Sequence, residues 1–200
     1  AIVVFTLISA SVYIFNDLLD IEADRKHPFK RKRPLPSGEL PVSLAVFAML
    51  AGVIIGLAWA YAMNMFFFGI CLTYLVVSGL LYTYWLKNIP ILDVITIATG
   101  YILRVYAGAV VIDAHMNVWF LLTVISLSLF LAVGKRKSEM TLLRGSGNTA
   151  AVRETLKRYT EELLNIYTAM FATASWLSYA LFTFNQPRIE FEGKVLTFLS

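Results

Sequence analysis

Long apolar stretches alternate with short polar connections along this chain. Six of these stretches approach the roughly 20 apolar residues that a helix needs to cross a bilayer. Backbone polar groups inside lipid must find their hydrogen-bond partners within their own segment, so we expect all six stretches to be helices. The pattern therefore predicts an all-α, polytopic membrane helix bundle with spans at residues 2–16, 42–62, 65–86, 92–112, 118–134 and 163–184.

Both ends of the chain look truncated. The first predicted span is short, and the chain opens on Ala1 inside an apolar run, with neither an initiator Met nor a signal-peptide pattern. The last residues, from Val195 to Ser200, resemble the opening of another apolar segment. We therefore expect residues 1–200 to form a single transmembrane domain that lacks flanking spans, with its helix count and oligomeric state open.

The positively charged residues favour one side of the predicted bundle. Of the 17 Lys and Arg residues, 14 fall in three connections, at residues 17–41, 87–91 and 135–162. Loops that are rich in Lys and Arg stay in the cytoplasm by the positive-inside rule. We therefore expect a multi-pass protein of the cell (inner) membrane whose charged end faces the cytoplasm.

The composition agrees with a membrane protein and excludes several other classes. Hydrophobic residues make up 58% of the chain and charged residues 15%, and the mean hydropathy is +0.71. A soluble domain carries about 25% charged residues, because fewer could not cover a surface that faces water. One Cys cannot form an internal disulfide, and two His cannot build a typical zinc site. The net charge of +4 follows from the basic loops, so we expect no nucleic-acid partner.

Three carboxylates follow the end of the first span. Asp17, Asp20 and Asp24 have i, i+3, i+7 spacing, so they share one face if the helix continues, with Asn16 beside Asp20. Mutual repulsion and the negative end of the helix dipole oppose this arrangement unless a cation lies among the oxygens. Hard oxygen ligands suit Mg²⁺, which often bridges to substrate phosphates. The alternative is a solvated acidic helix end that is neutralised by the basic residues Arg25, Lys26 and Lys30.

A basic run and a rigid turn follow the carboxylates. The run from Arg25 to Arg33 is typical of a cytoplasmic flank or a contact with anionic lipids, and the segment Pro34-Leu35-Pro36-Ser37-Gly38 predicts a turn that pins the loop. Taken together, Asn16-Asp17-x-x-Asp20-x-x-x-Asp24 and Arg33-Pro34-Leu35-Pro36-Ser37-Gly38 resemble the first aspartate-rich motif of the UbiA superfamily of intramembrane prenyltransferases.

This resemblance implies a fold, a cofactor and a first set of site residues. The superfamily fold is a bundle of nine transmembrane helices, and its first motif holds Mg²⁺ ions that bind a diphosphate. Catalytic and metal-binding roles would therefore fall to Asp17, Asp20 and Asp24. Substrate contacts around the same diphosphate would fall to Asn16, Arg25, Lys30 and Arg33.

A second polar cluster lies between the third and fourth predicted spans, and comprises Tyr82, Tyr84, Lys87 and Asp93. Taken alone, it is more typical of interfacial aromatic residues with a lysine that reaches towards the headgroups. The resemblance instead implies that a Tyr and a Lys at this place contribute to the diphosphate pocket, so we include all four residues in the predicted substrate site.

Arg104 is the one basic residue inside a predicted span. It follows Asp93 by 11 residues, about three helical turns, so both side chains should point the same way from the fourth helix. An arginine is costly in lipid, so we expect it to face the bundle interior or a wet cavity. It would serve there either as a structural post or as a substrate contact.

The fifth predicted span ends in a third charged cluster, in which Lys135 and Arg136 are candidate phosphate clamps and Glu139 is a further candidate metal ligand. The second aspartate-rich motif of typical superfamily members, DxxxD, is absent from this part of the sequence. The patterns Lys87-x-x-Pro90-x-x-Asp93-Val94, Gly100-x-x-x-Arg104-x-x-Ala107-Gly108 and Gly134-Lys135-Arg136-x-x-Glu139 instead resemble the decaprenyl-phosphate phosphoribosyltransferase branch.

The branch resemblance implies a Mg²⁺-dependent transferase that moves 5-phosphoribose from phosphoribosyl pyrophosphate to a polyprenyl phosphate, a step of cell wall biosynthesis. The alternative is prenyl transfer from a prenyl diphosphate to an aromatic or other acceptor. A transporter or a non-catalytic scaffold fits less well, because transporters place charged sites near the midplane and these charges concentrate at one end.

Overall fold

The computed structural model describes residues 1–26, 30–145, 159–185, 190–191 and 194–195. The described chain is almost entirely helical, and its one sheet is an antiparallel pair of two-residue strands, β1 (Glu190–Phe191) and β2 (Lys194–Val195). The helices are α1 (Ile2–Leu19), α2 (Ile21–Lys26), α3 (Pro34–Ser37), α4 (Val42–Met63), α5 (Met65–Tyr74), α6 (Tyr82–Tyr84), α7 (Leu92–Val111), α8 (Val118–Gly145) and α9 (Glu161–Phe184). The predicted all-α bundle is confirmed.

Three shorter helical turns connect these elements. A π-helix, Leu75–Leu81, joins α5 to α6, and 3₁₀ turns lie at Lys30–Lys32 and Leu86–Asn88. Because a π-helix has more residues in each turn than an α-helix, it rotates the side chains that follow it, and such segments are frequent at functional sites. The residue that follows directly is Tyr82.

Five helical segments of the described chain are long and apolar enough to cross a membrane, namely Ile2–Leu19, Val42–Met63, Met65–Tyr84, Leu92–Val111 and Val118–Leu142. The third of them comprises α5, the π-helix and α6. The five segments overlap the first five predicted spans, and the chain is a multi-pass membrane protein. The sixth predicted span, residues 163–184, lies within the helix α9, but its Asn, Ser, Thr and Tyr residues lower its hydropathy and α9 is not among the five.

Two helix ends differ from the predicted spans. Helix α1 continues to Leu19, so Asp17 lies on the helix and not after it. Helix α8 continues to Gly145, past the predicted end at residue 134. The segment 135–145, which was predicted as loop, is helical. A helix forms its own backbone hydrogen bonds, so it can continue beyond the membrane. The charged residues from Lys135 to Glu139 project from a rigid element as a result.

Buried apolar side chains form two clusters in the bundle. The first joins α1, α4, α5 and α7 around Phe5, Ile8 and Phe67, and the second joins α7, α8 and α9 around Val133 and Leu164. Helix α7 contributes to both clusters and connects them. Large apolar side chains elsewhere, such as Phe47, Trp59 and Trp176, are exposed on the outside of the bundle, as expected for helices surrounded by lipid.

Helices α1 and α4 approach closely because α4 has no side chain at Gly52 and Gly56. A Cβ atom added at Gly56 would lie 2.6 Å from Cγ1 of Ile8, which is fully buried. Small residues four positions apart allow this kind of approach between membrane helices. The contact fixes α1, the helix that carries the first carboxylates.

The substitution Gly56→Ala is expected to destabilise the bundle by about 1–3 kcal/mol, since the added methyl overpacks the contact with Ile8. Gly69→Ala in α5 is the matched control, because a Cβ there meets no atom within 4 Å. Thermal unfolding in detergent measures both variants. Equal midpoints for the two would contradict the packing assigned to Gly56.

Candidate active site

The three carboxylates of the first motif lie on one side of a nearly continuous helix. Asp17 is in the last turn of α1, Asp20 caps α1, and Asp24 is in α2. The backbone N–H of Asp24 donates to the carbonyl of Asp20 at 2.8 Å, so the helical hydrogen bonding continues across the one-residue break. All three side chains line the same cavity, which has a volume of about 420 Å³.

The cavity gathers charged residues from elements that are distant in sequence. Four carboxylates and five cations line it. The site residues predicted from the sequence that line the cavity are Asn16, Asp17, Asp20, Asp24, Lys30, Arg33, Tyr82, Lys87, Lys135, Arg136 and Glu139. The structure thus brings together most of the predicted site at the end of the bundle where α1 stops, which we call the charged end.

Arg33 connects two of the carboxylates. Its Nη1 atom lies 2.7 Å from Oδ1 of Asp17 and 3.3 Å from Oδ2 of Asp24. Nζ of Lys30 lies 3.7 Å from the other oxygen of Asp24, which is 4% exposed. Lys30 and Arg33 therefore neutralise Asp17 and Asp24, whereas Arg25, which the alternative interpretation also named, pairs with Glu22.

The short helix α3 holds Arg33 in this position. Arg33 is the extended N-cap residue of α3, and Gly38 ends the helix in the left-handed conformation with φ 86°. The N–H of Leu40 then donates to the carbonyl of Pro34 at 2.9 Å and closes the turn. The segment predicted to pin the loop does so.

Lys87 provides the third cation on the aspartates. Its Nζ lies 2.8 Å from Oδ1 of Asp20, across 67 residues of sequence. Beside this contact, the hydroxyl of Thr83 donates to the side-chain oxygen of Asn16. The segment after the π-helix is thereby attached to the end of α1, which positions Lys87 and Tyr82 at the cavity.

Arg136 is the centre of a buried polar network. Its Nε lies 2.9 Å from Oδ2 of Asp93, Nη1 donates to Oε2 of Glu139 at 2.6 Å, and Nη2 donates to the hydroxyl of Tyr82 at 2.9 Å. Arg136 is 3% exposed and Asp93 is 1% exposed. Nη1 and Nη2 are thus hydrogen-bonded, whereas Nε and Oδ2 of Asp93 form an ion pair without the geometry of a hydrogen bond, and the network links α6, α7 and α8.

Tyr159 completes this network from the segment that precedes α9. Its hydroxyl donates to Oδ1 of Asp93 at 2.6 Å and accepts the N–H of Ile91, also at 2.6 Å. Ile91 has a positive φ of 71°, and this contact holds it there. Burial and the hydrogen bond to Asp93 raise the pKa of the Tyr159 phenol above its ordinary value, so the hydroxyl keeps its proton.

Four predicted site residues lie away from the cavity lining. Arg25 pairs with Glu22 at 2.8 Å on the surface and reaches the carbonyl of Pro36 at 3.4 Å, so it braces α2 against α3. Tyr84 is 55% exposed.

The other two residues lie inside the bundle. Asp93 lies behind Arg136, and Arg104 lies deeper, where its Nη2 donates to the hydroxyl of Tyr74.

Several residues that shape the site are not indicated by the sequence motifs. Tyr13 and Ser138 line the cavity, and Thr83 and Tyr159 hold its walls. Tyr13 precedes Asp17 by four residues, so helical spacing could have found it. Tyr159 has no such signal, because only the tertiary fold brings it to Asp93.

The side-chain oxygens of the cavity could bind a divalent cation only after some rearrangement. In the described part of the chain, no group of three or more His, Cys, Asp or Glu side chains converges closely enough to hold a metal ion. The carboxylate and amide oxygens that line the cavity are nevertheless the hard ligands that Mg²⁺ prefers. An anion that drew Arg33 and Lys87 away would leave the aspartates free to bind a metal.

Residues 1–189 match the model of the UbiA prenyltransferase family. The chain belongs to this family. Among its UbiA relatives, it is 35% identical over 190 residues to decaprenyl-phosphate phosphoribosyltransferase of Mycolicibacterium smegmatis, with 94% of this chain and 58% of that protein covered. It is 36% identical over 187 residues to the protein of the same name from Corynebacterium glutamicum, with 92% and 55% covered.

A solved UbiA structure shares the fold. The structure of a UbiA homolog from Archaeoglobus fulgidus bound to GPP and Mg²⁺ superposes with a TM-score of 0.75 at 22% identity, covering 94% of this chain and 67% of that one. The chain spans somewhat more than half the length of the curated relatives it matches. The predicted family and the predicted likeness to the phosphoribosyltransferase branch are both confirmed.

Proposed function

We propose that this protein transfers 5-phosphoribose from phosphoribosyl pyrophosphate to a polyprenyl phosphate, with Mg²⁺ as cofactor, to make polyprenyl-phosphoryl-5-phosphoribose. The observation that carries the proposal is the single cavity in which four carboxylates and five cations meet. Such a cavity suits a metal diphosphate, and the branch similarity supports this donor, since relatives 35% and 36% identical carry that name.

Two sets of residues divide the binding of the donor. Asp17, Asp20 and Asp24, with Glu139 beside them, would hold Mg²⁺, which would neutralise the charge that develops on the departing diphosphate. Lys30, Arg33, Lys87 and Lys135 would bind the phosphate oxygens directly. In this account Arg33 and Lys87 would exchange their ion pairs with the aspartates for contacts with phosphate, and Asp17 and Asp20 would then be available to the metal.

The buried network has a positioning role. Arg136 donates hydrogen bonds to Glu139 and Tyr82 and so orients both at the cavity wall. Asp93 forms an ion pair with Arg136 from behind, and Tyr159 holds Asp93. Because Asp93 and Tyr159 are buried, Arg136 is fixed in position before the donor binds.

The reaction needs little acid or base catalysis. The bond between the anomeric carbon and the diphosphate oxygen breaks, and a bond from that carbon to an oxygen of the lipid phosphate forms with inversion. The lipid phosphate is already anionic, so no base has to remove a proton from it. The residues of the cavity therefore contribute charge and position. The donor would enter from the cytoplasm at the charged end, consistent with the three segments rich in Lys and Arg in the sequence.

A comparison of donors tests this function. Purified full-length protein is incubated with Mg²⁺, polyprenyl phosphate and phosphoribosyl pyrophosphate labelled in the ribose. The label is expected to move into the lipid phase. A prenyl diphosphate with an aromatic acceptor is the second donor to assay. Label transfer from the prenyl diphosphate alone would replace the proposed activity with ordinary prenyl transfer.

A further inference from the structure

Arg104 is an arginine deep in the bundle that has no carboxylate partner among the described residues. It lies on α7 about 16 Å beyond Asp93 along the helix axis. Its guanidinium donates to the hydroxyl of Tyr74 at 2.9 Å and lies 5.4 Å and 5.5 Å from the ring centres of Tyr74 and Tyr101. Aromatic contacts stabilise a cation only in part, so an arginine at this depth suits an anionic ligand.

Arg104 lies between two cavities of different character. The larger, of about 430 Å³, is lined mainly by apolar groups of α1, α5 and α7, including Phe5, Phe67 and Ala107. The smaller, of about 100 Å³, is lined by Arg104 and by Asn16, Tyr82 and Lys135, which also line the charged cavity. Arg104 therefore connects an apolar space to the site of the donor diphosphate.

Ser9 supplies a second polar group to the apolar cavity. It is 7% exposed, and its hydroxyl has no hydrogen-bond partner within the described part of the chain. Helical serines commonly donate to the carbonyl four residues earlier, as Ser11 does to Leu7 at 3.0 Å. A buried hydroxyl without a partner is unfavourable, and Ser9 lines the cavity, so rotation of its side chain would let the hydroxyl bind a polar group of a ligand there.

We propose that Arg104 and Ser9 bind the phosphate of the polyprenyl phosphate acceptor, with the first isoprene units in the apolar cavity. This inference rests on the proposed function and assigns the acceptor site, which the charged cavity does not include. A guanidinium matches a phosphate monoester in charge and geometry. From this position the phosphate oxygen faces the donor through the small cavity lined by Asn16 and Tyr82.

Steady-state kinetics with both substrates varied tests the assignment. Arg104→Gln in the full-length protein is expected to raise KM for polyprenyl phosphate about tenfold or more, because a charge-assisted hydrogen bond is lost. KM for phosphoribosyl pyrophosphate should stay within about twofold, and Arg104→Lys should recover part of the loss because it retains the charge. The control is Tyr106→Phe, an exposed position on the same helix.

Two kinetic outcomes would overturn the proposal. A rise in KM for phosphoribosyl pyrophosphate alone would assign Arg104 to the donor's 5-phosphate. A lower unfolding midpoint with both KM values unchanged would make Arg104 a structural post. A decrease in affinity for polyprenyl phosphate in Ser9→Ala, smaller than that of Arg104→Gln, would support the two-residue site.

A binding measurement separates this site from the proposed reaction. Without any donor, polyprenyl phosphate is expected to raise the unfolding midpoint of the wild type, to raise it less in Ser9→Ala and Arg104→Lys, and polyprenol is expected to have a smaller effect on the wild type. Equal stabilisation by polyprenol would overturn the phosphate site. If binding follows this pattern but no lipid-linked ribose phosphate forms, the proposed donor is wrong and the acceptor site stands.

Discussion

Replacing Asp17 and Asp20 together by Asn is expected to lower turnover of the full-length enzyme by about 10³-fold or more. The two substitutions keep the size of the side chains but remove the charges proposed to hold Mg²⁺, and each lost contribution to the departing charge costs on the order of 10²–10³ in rate. The fold should persist, because Asn side chains can still accept hydrogen bonds from Arg33 and Lys87, and the partly exposed pair of Asp17 with Arg33 contributes only about 0–1 kcal/mol.

The measurement is the rate of label transfer at saturating Mg²⁺, with thermal unfolding beside it. Glu22→Gln is the matched control, since this carboxylate lies in the same segment, is 78% exposed at its side chain and pairs only with Arg25 in the described contacts. The control should keep its activity. A double variant that retains more than about a tenth of the wild-type rate would contradict the role of the aspartates.

Asp93→Asn is expected to destabilise the bundle by roughly 3–5 kcal/mol, because it removes the charge that faces Nε of the buried Arg136. The loss should be near the lower figure, since Glu139 still neutralises Arg136 from the other side. Tyr82 and Glu139 should lose their fixed orientation at the cavity, so turnover should fall as well.

The experiment compares unfolding midpoints and rates for Asp93→Asn and Asp113→Asn. Asp113 is exposed beyond the opposite end of α7 and has a φ of 52°, which Asn adopts readily. Asp113→Asn therefore measures the change in stability that an Asp-to-Asn substitution causes outside the buried network. A midpoint of Asp93→Asn that matches that of Asp113→Asn would show that the ion pair with Arg136 does not stabilise the bundle.

The sequence predicted the helices and the shared face of the three aspartates in the candidate site, because both depend on local spacing. Apolar stretches of membrane length determine the spans, and the i, i+3, i+7 spacing places Asp17, Asp20 and Asp24 on one face. The proline-rich turn predicted a fixed loop, and Gly38 adopts the left-handed conformation that such a turn needs.

The partners of these residues depend on the tertiary fold, which spacing does not contain. Asp20 and Lys87 are 67 residues apart and meet only because the segment after the π-helix returns to the end of α1. The sequence indicated Arg136 as a phosphate clamp, whereas the structure surrounds its guanidinium with Asp93, Glu139 and Tyr82. No local pattern shows that an arginine in a basic run is buried.

Charge balance explains how a cavity so rich in ionisable groups is accommodated at the end of a membrane bundle. Each aspartate of the first motif faces a lysine or arginine, so none of the three carboxylates remains unneutralised in the described structure. The proposed metal diphosphate would bring both positive and negative charges to these groups. In that account the ion pairs keep the proposed donor site assembled until the donor binds.

The product of a doubly labelled reaction tests the central claim most directly. Full-length protein is incubated with Mg²⁺, phosphoribosyl pyrophosphate labelled in the ribose and polyprenyl phosphate labelled at phosphorus, and the lipid product is isolated. The account predicts one product that carries both labels in equal amounts, with one diphosphate released for each. A lipid fraction that carries the phosphorus label without ribose, while a prenyl diphosphate supports transfer to another acceptor, would contradict it.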